Sequence, residues 1–143
     1  MIENSEKDDH SVAASLNGTE TILIAEDDES LRKLIEIILS GSGYKVIIAI
    51  DGDDAVKKFM MNINAVQLCL LDVIMPKKSG IDVYHEIKKV RPDIITVFMS
   101  GYTANMMIPR PEENTHLLLK PVEPRTLLIK IRELLDKQSE KNN

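Results

Sequence analysis

Leu68-Cys69-Leu70-Leu71-Asp72-Val73-Ile74-Met75-Pro76 decides how this chain folds. Four consecutive apolar residues leave no solvent side, the signature of a strand buried on both faces in a parallel sheet with helices above and below. The run ends in a carboxylate, where an apolar residue or a turn former is expected. In open α/β sheets the carboxyl ends of the strands face the crevice that holds ligands, so Asp72 is the first candidate for a functional residue. Cys69, the one cysteine, lies inside the run. It has no partner for an internal disulfide and reads as a small core residue.

Outward from this run, short apolar stretches alternate with amphipathic ones from Thr21 on. Strands are expected at Thr21-Ala25, Lys45-Ile50, Gln67-Leu71, Ile95-Ser100 and His116-Leu119. Leu31, Leu34, Ile35 and Ile38 recur at helical spacing and predict a first helix that ends before Gly41 and Gly43. Ala55, Val56, Phe59 and Met60 mark a second helix, and Val83, Tyr84, Ile87 and Val90 a third, stopped by Pro92. After Tyr102, Thr103-Ile108 offers about one and a half turns, and Pro109 and Pro111 forbid a longer regular helix. The fourth helix is therefore expected to be short or irregular. Pro124 suits the first turn of a last helix carrying Leu127, Leu128, Ile131, Leu134 and Leu135. The pattern is that of a three-layer α/β fold, (βα)5, doubly wound around a parallel sheet.

The chain of 143 residues is one domain's worth, long enough to bury a core without metal or disulfides. Residues 1–20 are polar and aperiodic and read as a tail or linker with little order. The folded domain is expected over 21–138, with a polar C-terminal tail at 139–143. A net charge of −5 and the absence of Trp argue against a direct nucleic-acid partner, which would require clustered Lys and Arg. No apolar stretch approaches the ~20 residues that cross a bilayer, and the N-terminus is acidic, so no membrane segment is expected and the chain reads as cytoplasmic.

Acid also follows the first strand, where Ile22-Leu23-Ile24-Ala25 runs into Glu26-Asp27-Asp28-Glu29. If the first and third strands are neighbours, Glu26, Asp27 and Asp72 converge and repel one another unless a cation lies among them. Oxygen-only ligands of this kind suit Mg²⁺. Asp28 and Glu29 read instead as the cap and first acid of helix one. The fourth strand closes in Met99-Ser100-Gly101 and places a hydroxyl at the same sheet edge. The fifth closes in Leu119-Lys120-Pro121, where a lysine ending an apolar strand calls for an anion. Together they form a phosphoryl-acceptor site: Asp72 is the nucleophile, and Lys120 and Ser100 contact the phosphoryl oxygens.

Those stretches, with Leu70-Leu71-Asp72-Val73-Ile74-Met75-Pro76-Lys77-Lys78-Ser79-Gly80, resemble the response-regulator receiver domains of two-component signalling over roughly residues 20–137. The resemblance implies a flavodoxin-like sheet of order 2-1-3-4-5. It implies an Asp72 that a sensor histidine kinase or histidine phosphotransfer protein phosphorylates, and Mg²⁺ held by Glu26, Asp27, Asp72 and the backbone carbonyl of Ile74. It further implies a cis Lys120-Pro121 bond. Met99-Ser100-Gly101-Tyr102-Thr103 and the lead-in Gly18-Thr19-Glu20-Thr21 look like the receivers of hybrid sensor histidine kinases. No stretch resembles a kinase ATP site, so the chain reads as a signalling phosphoacceptor and not an enzyme.

Two features depart from the family pattern. Leu117 stands where receivers carry an inward-turning Phe or Tyr, which with Pro109 and Pro111 implies weaker or rerouted signalling across that face. Ile74 and Tyr102 stand at the positions flanking the hydrolytic water, and neither can orient it, which implies a long-lived phosphoryl group. Three rival readings exist. A haloacid-dehalogenase-type phosphatase requires a second acid where Ile74 stands. An FMN binder requires a phosphate loop where four acids follow the first strand. A phosphorylation-independent interaction module would keep the fold without using the acceptor groups.

Overall fold

Five apolar stretches become strands: β1 Thr21–Ala25, β2 Lys45–Ala49, β3 Val66–Asp72, β4 Ile95–Ser100 and β5 Thr115–Leu119. In this computed structural model, which describes residues 16–101 and 114–142, they form one sheet of order β2-β1-β3-β4-β5. Every neighbouring pair is parallel. Four helices are described: α1 Glu29–Gly41, α2 Gly52–Met61, α3 Gly80–Val90 and α4 Pro124–Asn142. The fold is flavodoxin-like. The short helix expected at 103–108, with Tyr102, Pro109 and Pro111, lies outside the described residues.

The alternation of side chains along each strand divides the core into two layers. Ile22, Ile24, Leu68, Leu70, Val97 and Met99 pack against Ile35 and Leu39 of α1 and Leu127 and Ile131 of α4. Leu23, Ala25, Cys69, Leu71 and Phe98 face Ala55 and Phe59 of α2 and Val83, Tyr84 and Ile87 of α3. Cys69 is buried, and burial pushes its thiol far above the ordinary range. Phe59 and Phe98 are fully buried, each contributing roughly 1.5–3 kcal/mol.

Side-chain caps start the first three helices. Asp28 accepts from the amides of Ser30 and Leu31, Asp51 from that of Asp54, and Ser79 from that of Asp82. Each satisfies donors that have no partner within the helix. Asp28 thus caps helix one as its sequence position suggests. α3 ends at Val90, two residues before Pro92.

Several residues differ from expectation. The buried stripe of α1 is centred on Ile35 and Leu39, while Leu34 is 43% exposed, and Gly41 closes the helix instead of following it. Apolar residues occur on two sides of this helix, and the sheet selects which side is covered. Met60 and Val90 are likewise substantially exposed. Residues 16–20, expected to have little order, are held down: the Gly18 amide donates to the Ser42 carbonyl at 2.9 Å. Arg132 of α4 donates to the Asn17 carbonyl at 3.1 Å and to Glu20 Oε2 at 2.6 Å. A half-buried ion pair supplies an anchor that composition does not reveal. At the other end α4 runs to Asn142, through residues expected as a polar tail.

Candidate functional site

The strand register brings the charged ends together. Ala25 pairs with Leu71 across β1 and β3, so Glu26 and Asp72, one residue further on, are side by side. Asp72 pairs with Met99 across β3 and β4, and Ser100 with Leu119 across β4 and β5. The Lys120 amide donates to the Ser100 carbonyl at 2.9 Å. Four strand ends thus meet at one edge, and the Lys120-Pro121 bond beside them is cis.

Glu26 and Asp72 are buried, at 1% and 5% exposure, whereas Asp27 is exposed. All three offer carboxylate oxygens within 4.8 Å of one another. Lys120 Nζ lies 3.0 Å from Asp72 Oδ2 and 3.1 Å from Glu26 Oε1. The remaining Asp72 oxygen, Oδ1, accepts from the Ile74 amide at 3.3 Å. Ser100, fully buried, donates its hydroxyl to the Gly101 carbonyl at 2.8 Å.

Electrostatics follow from this packing. Burial, then the neighbouring Asp72, pushes the Glu26 carboxyl up to about 7. Burial disfavours the charge on Lys120, but Asp72 and Glu26 outweigh it and hold the ammonium above its ordinary value. Glu26 Oε1 is buried and faces the Lys120 ammonium at 3.1 Å. Three carboxylates converging within 4.8 Å at one sheet edge, with a single ammonium between two of them, are the all-oxygen donor set of a hard divalent cation such as Mg²⁺, so the residues present fit that ion.

Two contributors escaped the sequence reading. Arg32 of α1 donates from Nη1 to the carbonyls of Glu26 at 2.8 Å and Asp27 at 3.2 Å, fixing the backbone of the acidic turn. The Asp28 amide donates to Glu26 Oε2 at 3.2 Å. The only sequence signal for Arg32 was a cation one turn into a helix that begins in acid. Glu29 faces solvent and pairs with Lys33 at 3.0 Å, as a helix acid and not a site residue.

A family model for the response regulator receiver domain matches residues 22–132. The chain belongs to the response regulator receiver family. This receiver is 30% identical over 149 aligned positions to sensor kinase CckA of Brucella abortus (strain 2308), covering 96% of the chain and 16% of that protein. It is 32% identical over 115 positions to the transcriptional regulatory protein CpxR of Klebsiella pneumoniae subsp. pneumoniae (strain HS11286), covering 80% of the chain and 48% of that protein. The receiver therefore spans about half or less of these relatives. Among solved structures, a CheY-like receiver domain protein of Methanospirillum hungatei JF-1 aligns with a TM-score of 0.76 and 28% identity, over 87% of this chain and 99% of that one. The receiver domain of hybrid histidine kinase CckA aligns with a TM-score of 0.71 and 25% identity, over 80% and 98%. The likeness to hybrid-kinase receivers expected from residues 99–103 and 18–21 thus has a counterpart in both comparisons. No helix among the described residues is long and apolar enough to cross a membrane.

Proposed function

We propose that this receiver takes a phosphoryl group onto Asp72 from the phosphohistidine of a sensor histidine kinase or a histidine phosphotransfer protein. Glu26, Asp27, Asp72 and the Ile74 backbone carbonyl are the residues that would hold Mg²⁺. The observation that carries the reading is the Lys120 ammonium, shared between Asp72 Oδ2 and Glu26 Oε1 at the edge of the sheet.

In the transfer, an Asp72 carboxylate oxygen forms a bond to phosphorus as the phosphorus–nitrogen bond breaks, and its electron pair returns to the imidazole nitrogen, which takes up a proton. Bound Mg²⁺ supplies positive charge that offsets the carboxylates and the incoming phosphoryl oxygens. Lys120 exchanges part of its contact with Asp72 for a phosphoryl oxygen and so loses no charge complement during the step. Ser100 releases the Gly101 carbonyl and turns its hydroxyl to another phosphoryl oxygen. That rotation would tie occupancy of Asp72 to Gly101, just after β4, and is the conformational switch of the reading. The Ile74 amide orients Asp72 Oδ1.

The reading is of a phosphoacceptor and not a turnover phosphatase. Ile74 supplies no second acid, and its side chain is 59% exposed. It sets the chain in the cytoplasm, where a reduced, buried Cys69 raises no difficulty. Incubation with a phosphorylated histidine phosphotransfer domain, with and without EDTA, tests it. Magnesium-dependent loss of phosphate from the donor with gain on this chain is expected; no transfer from any histidine donor would leave the phosphorylation-independent module as the better reading.

A further inference from the structure

We infer that Gly52, at the start of α2 and outside the acid site, is a positioning residue for Asp72, because its bare backbone fixes where the loop of residues 73–79 lies. The inference rests on the phosphoacceptor reading above. A Cβ at Gly52 would stand 2.7 Å from the carbonyl carbon of Lys78 and closer still to its oxygen. These are backbone atoms, so no side-chain rotation relieves the contact. Gly52 is not required for its own conformation. Gly43 is the one glycine with positive φ among the described residues, and within a helix alanine is otherwise favoured over glycine. The close approach to Lys78 is therefore what demands glycine.

The loop is pinned on both sides. The Gly52 amide donates to the Pro76 carbonyl at 3.3 Å, and the same carbonyl accepts from the Lys78 amide at 2.8 Å. The second bond closes a three-residue turn centred on Lys77, whose φ of 71° is left-handed and strained for a residue with a side chain. At the far end the Gly80 amide donates to the Val73 carbonyl at 2.9 Å. A Cβ on Gly80 would meet the Asp72 carbonyl carbon at 3.0 Å. Between these anchors the Ile74 amide donates to Asp72 Oδ1. Pushing Lys78 away from α2 therefore moves Ile74, and Ile74 orients the carboxylate.

A second restraint is ionic: Lys78 Nζ lies 2.7 Å from Glu86 Oε2 of α3 and 3.6 Å from Asp53 Oδ1 of α2. All three side chains are at least 32% exposed, so these pairs hold weakly. The steric contact at Gly52 is the stronger determinant.

The test compares Gly52→Ala with Lys78→Met, which removes the ammonium and keeps the backbone, and with Gly41→Ala, where an added Cβ meets nothing within 4 Å. Gly52→Ala is expected to shift the Ile74 amide resonance without Mg²⁺. It should also lower the saturated rate of phosphorylation by acetyl phosphate roughly 10- to 100-fold, as a misplacement of about 1 Å does. Its melting temperature should stay within about 5 °C of the original. Lys78→Met and Gly41→Ala should leave resonance and rate near the original values. The inference is overturned if Gly52→Ala leaves both unchanged, if it fails to fold, or if Lys78→Met reproduces its effect. A chain that never gains a phosphoryl group overturns the phosphoacceptor reading and the kinetic half of the inference, while the Ile74 amide still decides whether Gly52 sets the loop.

Discussion

The ammonium of Lys120 sits 3.0 Å from Asp72 Oδ2 and is the principal positive charge in contact with that carboxylate among the described residues. Replacing it with Met leaves the buried Asp72 carboxylate without its counter-ion and pushes the Glu26 carboxyl, already raised, further toward its protonated form. Lys120→Met should destabilise the metal-free chain by about 1–3 kcal/mol. That is less than the ~3–5 kcal/mol of a fully buried pair, because the lysine side chain keeps 28% exposure. Millimolar Mg²⁺ should restore part of the loss. Urea unfolding with and without the ion measures it, and a loss unaffected by Mg²⁺ would argue against a cation among the three acids.

The site was legible in the sequence where chemistry conflicted with burial. A carboxylate ending an apolar run and a lysine ending another have few structural explanations, and the parallel sheet then makes their strand ends converge. Strand positions were legible for the same reason, since a continuous apolar run permits little else. The orientation of α1 was not legible: Leu34 and Leu39 are both leucines on one helix, and only the sheet decides that Leu39 is buried and Leu34 exposed. Arg32 and Arg132 show no role in one dimension, yet Arg32 reaches back to the carbonyls of Glu26 and Asp27 just before its helix, and Arg132 to that of Asn17, 115 positions away. The approach of Gly52 to Lys78 joins residues 26 positions apart and leaves no local trace.

Arg132 also ties the lead-in to the domain, through Glu20 and the Asn17 carbonyl, and donates as well to the Tyr44 hydroxyl at 3.2 Å. Arg132→Leu should cost about 1.5–3 kcal/mol, the range for hydrogen bonds to charged groups, and should speed exchange of the Gly18 amide most. An unchanged Gly18 exchange rate would show that other contacts hold the segment.

The same pair sets an acid dependence. The Arg132 guanidinium holds the Glu20 carboxyl below its ordinary value near 4.5. A depressed carboxylate contributes stability that is full above its unfolded value and lost as pH falls through the folded one. Stability from this pair should therefore persist down to about pH 5 and fade below it, and Glu20→Gln should flatten that part of the profile. Urea midpoints across the acid range decide the matter; parallel profiles for the two chains would exclude Glu20 as a contributor.

The receiver resemblance puts Ile74 at a position from which an acid or amide would orient water toward the aspartyl phosphate proposed at Asp72. Ile74→Asn should shorten the lifetime of the phosphorylated chain several-fold with little change in stability, since the side chain is 59% exposed. Decay of the phosphorylated form after removal of the donor gives the number. Equal lifetimes would mean that water is excluded by other groups.

Intact mass after incubation with acetyl phosphate and Mg²⁺, for the original chain beside Asp72→Ala, decides whether Asp72 takes the phosphoryl group. The chain should gain the mass of one phosphoryl group and the Asp72→Ala variant none. An equal gain in both, or no gain in either, would contradict Asp72 as the phosphoacceptor.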